Sequence, residues 1–134
     1  MPKFLTTLKV DVLGDNTYKL IAPLIYESKK VLITVHTSFD FDGASIPQSL
    51  WTAVGCPMGG KYSRAACLHD ALYASRLFSR KDCDKFFHEA MLDDGVSKAK
   101  ALEFYLAVRA FGDSAYDNYD TLDKYRNLVH IEVL

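Results

Sequence analysis

The sequence has no long apolar run, no block of like charge, no paired cysteines and no phosphate-binding glycine motif. Each absence removes a class of function. No stretch approaches the roughly 18 uninterrupted apolar residues that a membrane span requires, so none is expected. Lys and Arg number 16 against 17 Asp and Glu, for a formal charge of −1. They are also scattered, whereas a nucleic-acid binder draws its affinity from clustered cations; no nucleic-acid partner is expected. The opening Met1-Pro2-Lys3-Phe4-Leu5 lacks the apolar stretch and small-residue cleavage site of a secretory signal. The three cysteines, Cys56, Cys67 and Cys83, form neither an even set nor a Cys-x-x-Cys half-site. That excludes a disulfide framework and points to reduced thiols in a cytoplasmic compartment, with Cys67 and Cys83 as small core hydrophobes. Neither Gly-x-Gly-x-x-Gly nor a loop ending in Gly-Lys-Ser/Thr occurs, so nothing indicates a nucleotide.

What is present is apolar and aromatic side chain. At 134 residues and 49% hydrophobic, the chain can bury a core as one domain spanning residues 1–134. The first forty residues read as strands. Phe4 to Leu13 alternates in part, and Gly14-Asp15-Asn16 is a turn. Thr17 to Tyr26 resumes with Pro23 inside it, which suits an edge strand or a bulge. Val31 to Phe39 places Val31, Ile33 and Val35 on one face. The helical period then takes over. Ser45-Ile46-Pro47-Gln48 has the form of a capping box opening a short helix through Trp51, a core residue. Further helices are expected from about Tyr62 to Phe78, from Ser79 to about Leu92, and from Ser97 to about Phe111. Val129 to Leu134 alternates like a last strand, with His130 exposed or satisfied by backbone. The expected class is α+β: an N-terminal antiparallel β-meander on about four helices, with a short C-terminal strand.

Ala65 to Ala74 reads Ala-Ala-Cys-Leu-His-Asp-Ala-Leu-Tyr-Ala. A helix apolar on every side has no face suited to water and must be buried. His69 and Asp70 interrupt it, and a buried carboxylate demands a cation, a metal or several donors. Adjacent helical residues diverge by about 100°, so the pair can flank a shared site with Tyr73 one turn beyond His69. Asp84 lies at the margin of the next apolar stripe, one turn after Arg80. Arg80 can neutralise Asp84 or reach Asp70. Asp42 precedes a helix N-terminus, where anions are favoured, and shares a face with Asp40 if the segment is extended. The plain alternative is that Asp42 ties down a turn, Ser45 caps, and His69, Asp70, Arg80 and Asp84 form a buried ion-pair network.

Two runs carry a resemblance. One is Ile33 through Pro47 with Leu50-Trp51. The other is Tyr62 with Ala65 through Tyr73, followed by Arg80, Asp84, Phe87, Glu89-Ala90-Met91 and Val108-Arg109. Together they resemble the domain-of-unknown-function family 1353 of tailed phages and prophages, over roughly Tyr18 to Gly112. The resemblance implies a viral or prophage origin, carries no established activity, and marks Asp42, Ser45, His69, Asp70, Tyr73, Arg80 and Asp84. His36 stands where that family usually has Pro. The run Cys67 to Tyr73 is also similar to the active helix of secreted phospholipases A2. That similarity implies a His activating water, an adjacent Asp holding calcium, and a glycine-bearing loop, here Gly55 to Gly60. The disulfides of those enzymes are absent, and Leu72 replaces a half-cystine.

Two function classes follow. The first is a non-enzymatic phage or prophage accessory protein, a virion or assembly component or an inhibitor of a host system. It resides in the bacterial cytoplasm or the virion, and Ser114 to Tyr125 offers the partner a tyrosine-bearing contact surface. The second is a divalent-metal-assisted hydrolase. Asp42, Asp70 and Asp84 would hold Mg²⁺, Ca²⁺ or Mn²⁺, with His69 as base, Arg80 facing a developing oxyanion, and Ser45 and Tyr73 binding ligand.

Overall fold

A computed structural model of the chain describes residues 3–14, 17–41, 61–113, 116 and 125–134. Seven strands and three helices lie in this part: β1 (Lys3–Phe4), β2 (Val10–Gly14), β3 (Thr17–Leu20), β4 (Leu24–Glu27), β5 (Val31–Val35), β6 (Asp40–Phe41), α1 (Ser63–Ser75), α2 (Arg80–Asp93), α3 (Lys98–Phe111) and β7 (Val129–Val133). The class is α+β, as the change of period from strand to helix indicates. The expected capping-box helix at Ser45 falls outside the described residues.

The strands form two antiparallel sheets, ordered β1-β4-β5-β7 and β2-β3-β6. The single strands expected over 4–13 and 17–26 are each divided, and the halves join different sheets. Pro23 marks the second break: it has no N–H to donate and falls between β3 and β4 rather than on a sheet edge. The segment before β4 is tied back by Ile21 N–H donating to Lys9 O at 3.0 Å and Leu20 N–H to Phe39 O at 2.9 Å. Ile33 and Val35 are buried as the alternation of β5 requires, and β7 pairs with β5 so that Ile33 faces Ile131 across the ladder. His130 is exposed.

Every residue of α1 from Ala65 to Ser75 is buried. It packs against α2, which packs in turn against α3, and both α1 and α2 also meet strands. The helix ends three residues before the expected Phe78. Arg76 takes a left-handed conformation, φ 51°, at the cap. Its guanidinium is held there, with Nε donating to Tyr116 O at 3.0 Å and the plane over the Tyr116 ring. Ser79 and Ser97 cap α2 and α3 as expected, each hydroxyl accepting from the backbone N–H three residues on.

Candidate functional site

The polar site is built on Asp84. Its neighbours come from three helices. In α1, His69 and Tyr73 are one turn apart and project from the same side of a rod with no wet face. In α2, Asp84 sits within the buried set Cys83, Asp84, Phe87, Ala90 and Met91. In α3, Arg109 belongs to the last turn. One Asp84 oxygen, Oδ1, is 2.7 Å from His69 Nε2 and accepts the Tyr73 hydroxyl at 2.5 Å. The other, Oδ2, accepts Arg109 Nη1 at 2.8 Å and lies 3.7 Å from Arg80 Nη1. His69 and Asp84 have no solvent exposure at all.

Charge follows from this geometry. Burial alone would raise the Asp84 carboxyl, but hydrogen bonds from His69, Tyr73 and Arg109 together hold it below the usual carboxylate range. A carboxylate only accepts, so His69 Nε2 and the Tyr73 hydroxyl must both carry their protons. Burial dominates at His69 and lowers its pKa despite Asp84, so the ring is neutral and protonated on Nε2. In that tautomer the basic lone pair is on Nδ1. Burial and then the Asp84 bond raise the Tyr73 phenol, which stays a donor. The imidazole is walled by Tyr73 at 4.1 Å and Phe87 at 4.5 Å between ring centroids.

The expected residues are only partly gathered. His69, Tyr73 and Asp84 meet directly. Asp70 is equally sealed and itself engaged; beside its own burial, the Asp70 charge raises the Cys67 thiol. Arg80 touches Asp84 only at long range and donates instead to Val108 O at 2.9 Å and Arg109 O at 3.2 Å, with Asp113 at 3.1 Å. It closes the carbonyl end of α3 more than it faces a reaction. Asp42, Ser45 and the loop Gly55 to Gly60 lie outside the described residues. Among the described residues no group of three or more His, Cys, Asp or Glu side chains could hold a metal ion. Asp84 fits the metal role poorly: both oxygens already accept protein donors, and two guanidinium groups stand beside it.

Arg109 is the site residue that sequence reasoning left without a role. Its signal was weak: a cation in a helix's last turn is usually there for the helix dipole. Phe87, buried in α2, is also the wall against the imidazole.

A family model described as "Protein of unknown function (DUF1353)" matches residues 18–108. Two proteins of Sinorhizobium fredii are similar, each 36% identical: uncharacterized protein y4iH over 105 residues and uncharacterized protein y4jT over 78. The match takes in 77% of this chain and 44% of y4iH, and 58% of this chain and 23% of y4jT. The chain therefore spans less than half the length of either relative. No solved structure matches it.

Proposed function

The chain belongs to the DUF1353 family of unknown function, and from that premise we propose that it is a hydrolase domain with His69 as general base and Asp84 as the residue that orients it. The observation that supports this reading is the shared Asp84 Oδ1, which takes both the His69 Nε2–H and the Tyr73 hydroxyl. A base held through one nitrogen by a carboxylate can take up a proton at the other, and the same carboxylate stabilises the imidazolium that forms. Hydrogen bonds from His69, Tyr73 and Arg109 keep that carboxylate ionised. The phospholipase A2 resemblance of Cys67 to Tyr73 suggests a carboxylic ester as substrate. It also suggests Asp70 as an acid for calcium, to which the metal-hydrolase reading adds Asp42, with Mg²⁺ or Mn²⁺ as the other cations; when bound, such a cation would polarise the ester carbonyl.

The test is release of fatty acid from phosphatidylglycerol vesicles, and of p-nitrophenol from short esters, with each of the three cations and with chelator. Cation-dependent turnover should fall by about 10²–10⁴ in His69→Gln, with the fold kept by circular dichroism. Absence of turnover on every substrate under all these conditions would overturn it.

A second reading is favoured by the complete burial of His69 and Asp84. Here the network is a structural knot joining three helices in a non-enzymatic phage or prophage accessory protein, a virion or assembly component or a host inhibitor. Detection in purified virions, or capture of one host protein by an inactive but folded His69→Gln chain, would support it.

A further inference from the structure

The outer face of α2 bears a second feature unrelated to His69. Asp82, Lys85, Phe86 and Glu89 follow one another at the spacing of one helical stripe, on the side away from Asp84 and Phe87. Opposite them runs the β4–β5 turn, Ser28-Lys29-Lys30-Val31, closed by Ser28 N–H donating to Val31 O at 2.9 Å. Turn and helix are locked together by Glu89, whose Oε1 accepts the Tyr26 hydroxyl at 2.6 Å and the Ser28 hydroxyl at 2.8 Å. Between them lies a cavity of about 470 Å³ that Phe78 also lines. That volume falls in the range of small-molecule sites.

The lining divides by chemistry. Phe78 and Phe86, with centroids 5.0 Å apart, and Val31 make an apolar wall of half-buried side chains. Lys29, Lys30 and Lys85 are exposed and, among the described residues, none of their ammonium groups makes an ion pair. Two carboxylates oppose them, and Glu89 is already occupied by two hydroxyls. Unpaired cations beside an apolar wall complement a molecule with an anionic head and an apolar body. We propose that this cavity binds an anionic amphiphile of the fatty-acid class, its carboxylate among Lys29, Lys30 and Lys85 and its chain against Val31, Phe78 and Phe86. This site is independent of any chemistry at His69.

The experiment titrates the full chain with monomeric laurate by calorimetry, alongside dodecanol and dodecyltrimethylammonium as neutral and cationic analogues. One saturable laurate site is expected, with weaker binding of dodecanol and none of the cation. The triple variant Lys29→Glu, Lys30→Glu, Lys85→Glu changes only exposed side chains and should weaken laurate by about tenfold or more. Phe86→Ala should weaken laurate and dodecanol alike. Non-saturable uptake, equal affinity for laurate and dodecanol, or undiminished binding by the triple variant would each overturn the assignment.

Discussion

Asp84 and Asp94 stand ten positions apart in the sequence, the first inside α2 and the second at its C-cap. Asp84 is buried and Asp94 half-buried, each against arginine, yet their carboxyls move in opposite directions. Asp94 receives two bonds from Arg64, Nε at 3.1 Å and Nη2 at 2.5 Å. Even so, burial pushes it above its usual value, with the Asp93 charge helping and Arg64 only partly resisting. Its place at the negative end of the helix adds to the discomfort of an anion there. Asp84 is more deeply buried but collects donors from three side chains, and ends below the usual range. One well-aligned arginine does not secure a buried carboxylate; several converging donors do.

The largest difference should appear on truncation. Asp84→Ala leaves His69, Tyr73 and Arg109 without their acceptor and is expected to cost about 3–5 kcal/mol. Asp94→Ala frees Arg64, which is 32% exposed, to return to water, and should cost about 1 kcal/mol or less. Urea unfolding measures both, and equal losses would erase the distinction.

Acid titration sharpens it. His69 has a lowered pKa in the folded chain. Above about pH 6.5 both states are neutral; below it the unfolded chain takes a proton that the folded one refuses. Stability therefore falls on acidification, by up to about 1.4 kcal/mol per pH unit, until the folded pKa is reached. Asp84 adds a second loss below about pH 4, because its stabilisation disappears as pH falls through its depressed folded value. Asp94, whose pKa is raised, acts in the opposite sense: the folded chain binds its proton first and offsets part of that loss. In stability profiles His69→Gln should flatten the limb just below pH 6.5. Near pH 4, Asp84→Asn should flatten the fall and Asp94→Asn should steepen it.

Gly112 probes the Asp84 cluster without removing any of its polar groups. A Cβ there would stand 2.6 Å from the Tyr73 hydroxyl and 2.5 Å from Val108 O. Gly112→Ala should cost about 1–3 kcal/mol, and less in a Tyr73→Phe background where the hydroxyl is gone; a double-mutant cycle reads the coupling. The smallest effect concerns Glu89, a carboxylate of α2 held by two hydroxyls and, among the described residues, by no arginine. Tyr26→Phe should cost about 1 kcal/mol in urea unfolding.

Much of this was legible along the chain. Ser79 and Ser97 announced their helices, and the alternation of Val129 to Leu134 announced β7. The run Ala65 to Ala74 announced a helix that must be buried. The divided strands were less legible, because partial alternation reads the same whether a segment joins one sheet or two. The early end of α1 was hidden too: Arg76 reaches its left-handed conformation with a hold on Tyr116, forty positions away.

By itself the sequence determined that a histidine and acids would be enclosed in an apolar helical layer, because periodicity and burial are local properties of composition. Only the tertiary structure decided which acid the histidine meets. His69 pairs with Asp84 fifteen positions on, and Asp84 with Arg109 a further twenty-five on, contacts that exist only once α1, α2 and α3 pack side by side. Hydrogen bonds act over about 3 Å, and nothing in linear spacing reports which side chains a packing angle will bring that close.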